Sequence, residues 1–141
     1  MKTVMFCGHS KVDEPEKIKK WVLSETEKAI QNGASEFLLG AYGDFDNLVA
    51  GVVFELKKKY PHIKSVLVLA YLDQKKNCDL YEESIYPPLE NVPKKYAIVK
   101  RNRWMVDNSD AIIAYVLYDW GGAAGTLSYA MQKKKNIIQY K

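Results

Sequence analysis

Four short runs of almost unbroken apolar residues constrain the fold of this chain more than any other feature. They are Thr3-Val4-Met5-Phe6-Cys7, Phe37-Leu38-Leu39-Gly40-Ala41, Ser65-Val66-Leu67-Val68-Leu69-Ala70-Tyr71 and Asp110-Ala111-Ile112-Ile113-Ala114-Tyr115-Val116-Leu117. Each has the length of a strand, and none alternates apolar with polar residues. A strand with one wet face alternates. A strand covered on both faces does not, and sheets covered on both faces are parallel.

Parallel strands need crossover helices, and the intervening sequence supplies them. Asp13 is placed to cap a first helix with Pro15 in its first turn, and Ile18, Trp21, Val22, Ala29 and Ile30 recur along one face. Asn32-Gly33 stops it. Asp44 is placed to cap a second helix, with Leu48, Val49, Val52, Val53 and Leu56 on one side and Tyr60-Pro61 at its end. Residues 93–108 form a third helix whose apolar positions are Ala97, Ile98, Trp104 and Met105, and 127–135 a fourth. Asn136-Ile137-Ile138-Gln139-Tyr140 is the fifth strand. The expected fold is α/β, a three-layer sandwich around a mostly parallel five-stranded sheet of order 3-2-1-4-5, with right-handed crossovers. The 141 residues suit one domain spanning 1–141, with no repeat and no linker.

One stretch breaks the pattern. Residues 72–93 are polar, lack periodicity and contain Tyr81, Tyr86, Pro87, Pro88 and Pro93. A loop of this length after a strand's C-terminal end reads as a lid over a ligand site or as an inert excursion.

Charge separates few function classes. The net charge is +4, from 21 Lys and Arg against 17 Asp and Glu. Much of the excess sits in Lys57-Lys58-Lys59 and Lys133-Lys134-Lys135, which close helices where the dipole favours cations. Solvated helix ends explain these clusters, and nucleic acid is the less favoured partner. Two cysteines, Cys7 and Cys78, make no disulfide framework. No charged leader with an apolar core and no membrane-length run is found, so a reducing cytoplasm is the expected location, with no membrane partner. No metal-ligand spacing or cofactor motif is present, and neither metal nor cofactor is expected.

The glycines locate a candidate ligand site. Trp120-Gly121-Gly122-Ala123-Ala124-Gly125-Thr126 lies between the fourth strand and the last helix. Glycine permits positive φ and close approach of a ligand, and a helix N-terminus favours an anion such as phosphate. The turn is no P-loop, because the Gly-Lys-Ser/Thr ending is missing, and no dinucleotide fingerprint, because that follows the first strand. With the expected strand order, Gly8-His9-Ser10 forms the opposite wall and Gly40 to Gly43-Asp44 borders the crevice. Arg101 falls on the apolar stripe of the third helix. It needs an anionic partner there, either a structural carboxylate or a bound phosphate or carboxylate.

Further motifs carry a resemblance. Arg101-Asn102-Arg103-Trp104-Met105, Ser109-Asp110-Ala111 and Gly121-Gly122-Ala123-Ala124-Gly125-Thr126 resemble the central block of the Lonely Guy phosphoribohydrolases. With Phe6-Cys7-Gly8-His9, Tyr60-Pro61-His62, Tyr86-Pro87-Pro88-Leu89-Glu90 and Lys100 to Met105, nearly the whole chain resembles small bacterial and phage proteins of the SLOG superfamily. That superfamily also contains a DNA-processing-A branch. The resemblance implies a Rossmann-like fold, a nucleotide-like ligand and pairing of two copies through helices beside the site. It implies a catalytic arginine at Arg101. The family glutamate would fall at Tyr129, so an N-glycosidase activity lacks its carboxylate, for which Asp44, Asp46 or Asp119 could substitute.

Three functions follow as expectations. The first is a nucleotide-binding or sensing protein. In it Gly121, Gly122, Gly125 and Thr126 hold phosphate, Arg101 pairs with it, and Asp44 or Asp46 accepts ribose hydroxyls. Tyr42, Tyr118 or Trp120 stacks on the base. The second is a nucleoside-monophosphate phosphoribohydrolase-like enzyme, and the third a DNA-binding accessory protein. His9 is either a catalytic group or a loop residue satisfied by backbone, and Cys7 is buried packing.

Overall fold

The computed structural model describes residues 2–71 and 80–141. Its strands are β1 (Thr3–Gly8), β2 (Glu36–Leu39), β3 (Lys64–Val68), β4 (Glu83–Ile85), β5 (Ala111–Tyr115) and β6 (Asn136–Gln139). Its helices are α1 (Pro15–Gln31), α2 (Asp44–Lys59), α3 (Ala97–Asp107) and α4 (Gly122–Gln132). The sheet order is β4-β3-β2-β1-β5-β6, and every strand pair is parallel. The expected order holds for the five strands read from sequence, and a sixth strand extends one edge.

The apolar runs are unbroken because alternate residues serve different cores. Val4 and Phe6 of β1, Phe37 and Leu39 of β2, and Ile113 and Tyr115 of β5 pack with α1 and α2 residues such as Val22 and Phe45. Met5 and Cys7, Leu38, and Ile112 and Ala114 pack on the other face with Met105 of α3 and Leu127 of α4. Period-two geometry thus places apolar residues at every position of the central strands. Phe37 and Phe45 are fully buried, and each such side chain contributes about 1.5–3 kcal/mol.

Strand β4 corrects the reading of 72–93 as one loop. Residues 72–79 lie outside the described residues, but Glu83–Ile85 pair with Val66–Val68 at the sheet edge, and Leu89 is buried. Sequence periodicity misses β4 because it has three residues, two of them exposed polar ones.

Two helix caps also differ. α1 starts on Pro15, after Glu14 in the left-handed region (φ 53°), without a side-chain cap from Asp13. Proline's fixed φ and dispensable N–H suit the first helical position. α2 has Gly43 at its N-cap. Asp44 is already helical and accepts the N–H of Val12 at 3.3 Å, while Asp46 reaches back to the N–H of Tyr42 at 2.8 Å. This reach from the third helical residue passes the N-cap, Gly43, and ties down the residue before it. The expected 93–108 helix becomes a 3-10 turn at Lys94–Tyr96 followed by α3. The lysines behave as helix ends: Lys57, Lys58 and Lys59 close α2, and Lys59 pairs with Glu27 at 2.8 Å.

Candidate functional site

The chain runs from β1 outward through β2, β3 and β4, then returns to the other side of β1 with β5. A crevice opens at the C-terminal ends of the strands where direction reverses. A cavity of about 240 Å³ lies there, walled by the end of β1, the loop before α2, α3 and the start of α4.

The glycine turn is shorter than its sequence suggests. α4 begins at Gly122, five residues before the expected 127, so most of the turn is the helix's first turn. Gly121 holds φ at 92°, with no side-chain cap on the helix. The first N–H groups of such a helix have no intrahelical acceptor. A side chain built at Gly121 or Gly122 would meet nothing within 4 Å. Gly125 departs from the expected cradle: it is helical, its N–H donates to the carbonyl of Gly121 at 3.0 Å, and it does not line the cavity. Thr126 lines the cavity, and its hydroxyl donates to the carbonyl of Gly122 at 3.0 Å.

The other glycines are positions of close packing. A Cβ on Gly8 would lie 2.2 Å from the Phe45 ring, one on Gly43 2.7 Å from Cα of Ser10, and one on Gly40 3.1 Å from the Arg101 guanidinium. Gly8 still borders the cavity, whereas Gly40, Gly43 and Asp44 do not. Of the two aspartates expected there, both in the first turn of α2, Asp46 lines the cavity and Asp44 does not. Tyr42, Asn102 and Tyr118 also line it.

Arg101 is 2% exposed. Its Nη1 donates to the carbonyls of Gly40 at 2.9 Å and Val68 at 3.0 Å, tying α3 to the ends of β2 and β3. Its Nε donates to Oδ1 of Asn102 at 2.9 Å. No hydrogen bond from Nη2 is found among the described residues. Burial pulls the guanidinium below its ordinary pKa, opposed by the nearby Asp46 carboxylate and by Tyr71 and Tyr42. Arginine's high starting value keeps it charged. Among the described residues on the wall, Arg101 is the cation and Asp46 the carboxylate.

His9 is buried and satisfied by backbone. Its Nε2 accepts the N–H of Leu117 at 2.8 Å, which commits the lone pair a general base would use. Burial lowers its pKa below the usual value. Its ring stacks on Tyr118, centres 3.8 Å apart, and Tyr118 stacks on Trp120 at 4.2 Å. Cys7 donates its S–H to the carbonyl of Ala123 at 3.3 Å, and burial pushes its pKa up to about 12, so it clasps α4 onto β1 as an inert thiol.

Tyr129 does not line the cavity. Its hydroxyl donates to the Asp107 carboxylate, 2.9 Å from Oδ1, and joins α4 to the end of α3.

The parallel sheet, its reversal beside β1 and the glycine-opened helix there define a Rossmann-like α/β domain. The chain belongs to the YspA SLOG family, whose model matches residues 8–141. It is 29% identical over 147 residues to the uncharacterized SPbeta prophage-derived protein YoqJ of Bacillus subtilis, covering 86% of this chain and 83% of that protein. It is 27% identical to a UPF0398 protein of Bacillus pumilus, covering 94% of this chain and 77% of that one. Among solved structures, DNA processing protein A from Helicobacter pylori superposes with a TM-score of 0.68 at 16% identity, over 96% of this chain and 63% of that one. The Streptococcus pneumoniae protein of the same name gives 0.67 at 16% identity, over 96% and 49%. This chain therefore spans about two thirds and one half of those solved chains. No described helix is long and apolar enough to cross a membrane.

Proposed function

We propose that the cavity binds a nucleotide, with its phosphate at the first turn of α4 and beside Arg101. The observation that carries this reading is one wall on which an uncapped, glycine-opened helix N-terminus and a buried arginine meet. Aligned peptide dipoles and free N–H groups favour an anion at such a helix start, and Arg101, whose Nε and Nη1 are held by protein acceptors, would add its positive charge from the wall behind. Asp46, which lines the same cavity, would accept ribose hydroxyls.

The proposed role is binding, not cleavage. Glycoside hydrolysis uses a pair of carboxylates, and Asp46 is the one that the described wall supplies. Tyr129, at the position of the family glutamate, is bound to Asp107 away from the cavity. The test is calorimetric titration with a panel of nucleoside monophosphates, with chromatography for released base. Saturable binding without free base is expected, and release of base that Asp46→Asn abolishes would establish the hydrolase instead.

A second reading takes single-stranded DNA, because the fold is shared with DNA processing protein A, whose Helicobacter pylori structure is described by its single-stranded DNA binding mode. That reading requires a gel shift that weakens as salt rises. Absence of a shift at low salt removes it.

A further inference from the structure

The rings of His9, Tyr118 and Trp120 form a ladder beside the cavity. The planes of His9 and Tyr118 are nearly parallel, 9° apart, and those of Tyr118 and Trp120 differ by 23°. Two rings centred within 4.2 Å of a third cannot share one of its faces without overlapping. His9 and Trp120 therefore lie on opposite faces of Tyr118, which is covered on both sides. The buried end is fixed: His9 is 5% exposed and held by the Leu117 N–H. The free end is not covered: Trp120 is 67% exposed and lines the cavity.

A tryptophan left this open exposes a large apolar and π surface to water, which a flat ring system would cover in the offset geometry aromatic pairs prefer. A ligand stacked there meets a platform already ordered by the rings behind it, so little side-chain entropy is lost on binding. The geometry points to Trp120 as the platform for the nucleobase, which forms a fourth layer on the ladder. This inference rests on the nucleotide reading above and adds to it the part of the ligand that sets affinity. Tyr118 is excluded as the platform because both its faces are taken. The occupant proposed is a free mononucleotide, its base on Trp120 and its phosphate at the first turn of α4, both of which line the same cavity.

The test compares adenosine 5′-monophosphate with ribose 5-phosphate by calorimetry, in the wild type and in Trp120→Ala, Trp120→Phe and Gly122→Val. Base–aromatic stacking measured by alanine substitution corresponds to about a fivefold to hundredfold change in affinity. The wild type is expected to prefer adenosine monophosphate by such a factor. Trp120→Ala collapses that ratio towards one, and Trp120→Phe restores most of it. A ratio unchanged in Trp120→Ala overturns the platform while leaving the phosphate reading intact if Gly122→Val abolishes binding of both probes. Adenosine monophosphate binding that needs Trp120 and is unchanged in Gly122→Val keeps the platform and overturns the phosphate site. Tighter binding of an oligodeoxynucleotide than of the mononucleotide overturns the free mononucleotide as occupant. Circular dichroism and thermal melting confirm that each variant is folded, as the exposure of Trp120 and the open space around Gly122 lead one to expect.

Discussion

Two sets of glycines face the same end of the sheet, and they do opposite things. On the β1 and β2 side, Gly8, Gly40 and Gly43 sit where a neighbour fills the space of a side chain: the Phe45 ring, the Arg101 guanidinium and the Ser10 backbone. At the start of α4, Gly121 and Gly122 adjoin open space. The first set lets the protein approach itself, and the second leaves room for something else. A glycine at a strand end therefore says little about ligands until what a Cβ would meet there is known.

The comparison can be broken by substitution. The largest effect is expected on the packed side, at Arg101. Arg101→Ala removes the hydrogen bonds to two strand-end carbonyls and leaves a hole in a buried position, for an expected loss of about 2–5 kcal/mol in chemical denaturation. Loss of ligand binding in that variant would report the fold and not the site alone. Gly8→Ala comes next, at about 1–3 kcal/mol from overpacking against Phe45. A midpoint equal to wild type would show that the ring relaxes freely.

On the open side the cost is conformational and not steric. Gly121→Ala is strained, because φ 92° with ψ 179° is a region open to little but glycine, and costs about 1–3 kcal/mol, read from the same denaturation curves. Gly122→Ala faces open space inside a helix and is expected to be neutral or stabilising by up to about 1 kcal/mol. A loss there as large as that of Gly8→Ala would erase the distinction between the two sets.

The smallest effect is a pH dependence at His9. Burial holds its folded pKa below 6.5, so the unfolded chain binds the proton more readily. The stability tied to neutral His9 is complete above about pH 6.5 and is lost as pH falls below it. His9→Gln, which keeps an acceptor for the Leu117 N–H and does not titrate, should flatten that slope between pH 7 and 5. An unchanged slope would show that another group sets it.

The sequence made the central sheet legible because alternate residues of β1, β2 and β5 feed two cores, which writes each strand as a continuous apolar run. The inward stripe of α3 likewise exposed Arg101 as a buried cation. It did not show that the guanidinium spends Nη1 on two backbone carbonyls, because acceptors of that kind leave no trace in residue type. β4 was hidden by its length and polarity. Asp46 and Asp44 lie two residues apart in one turn of α2, and only the turn's orientation puts Asp46 at the cavity and Asp44 against Val12. The start of α4 at Gly122 was masked by glycine's poor helix propensity, which a free N-terminal turn overrides. Sequence left His9 open between a catalytic group and a loop residue satisfied by backbone, and the Leu117 N–H on its buried ring makes it a fixed part of the wall.

The central claim is that the open turn before α4 holds the phosphate of a nucleotide. Calorimetric titration of wild type and Gly122→Val with nucleoside monophosphates tests it most directly. Saturable binding to the wild type, lost in a Gly122→Val protein that melts cooperatively, is the predicted result. Equal affinity in the two proteins, or no binding of any monophosphate to the wild type, would contradict it.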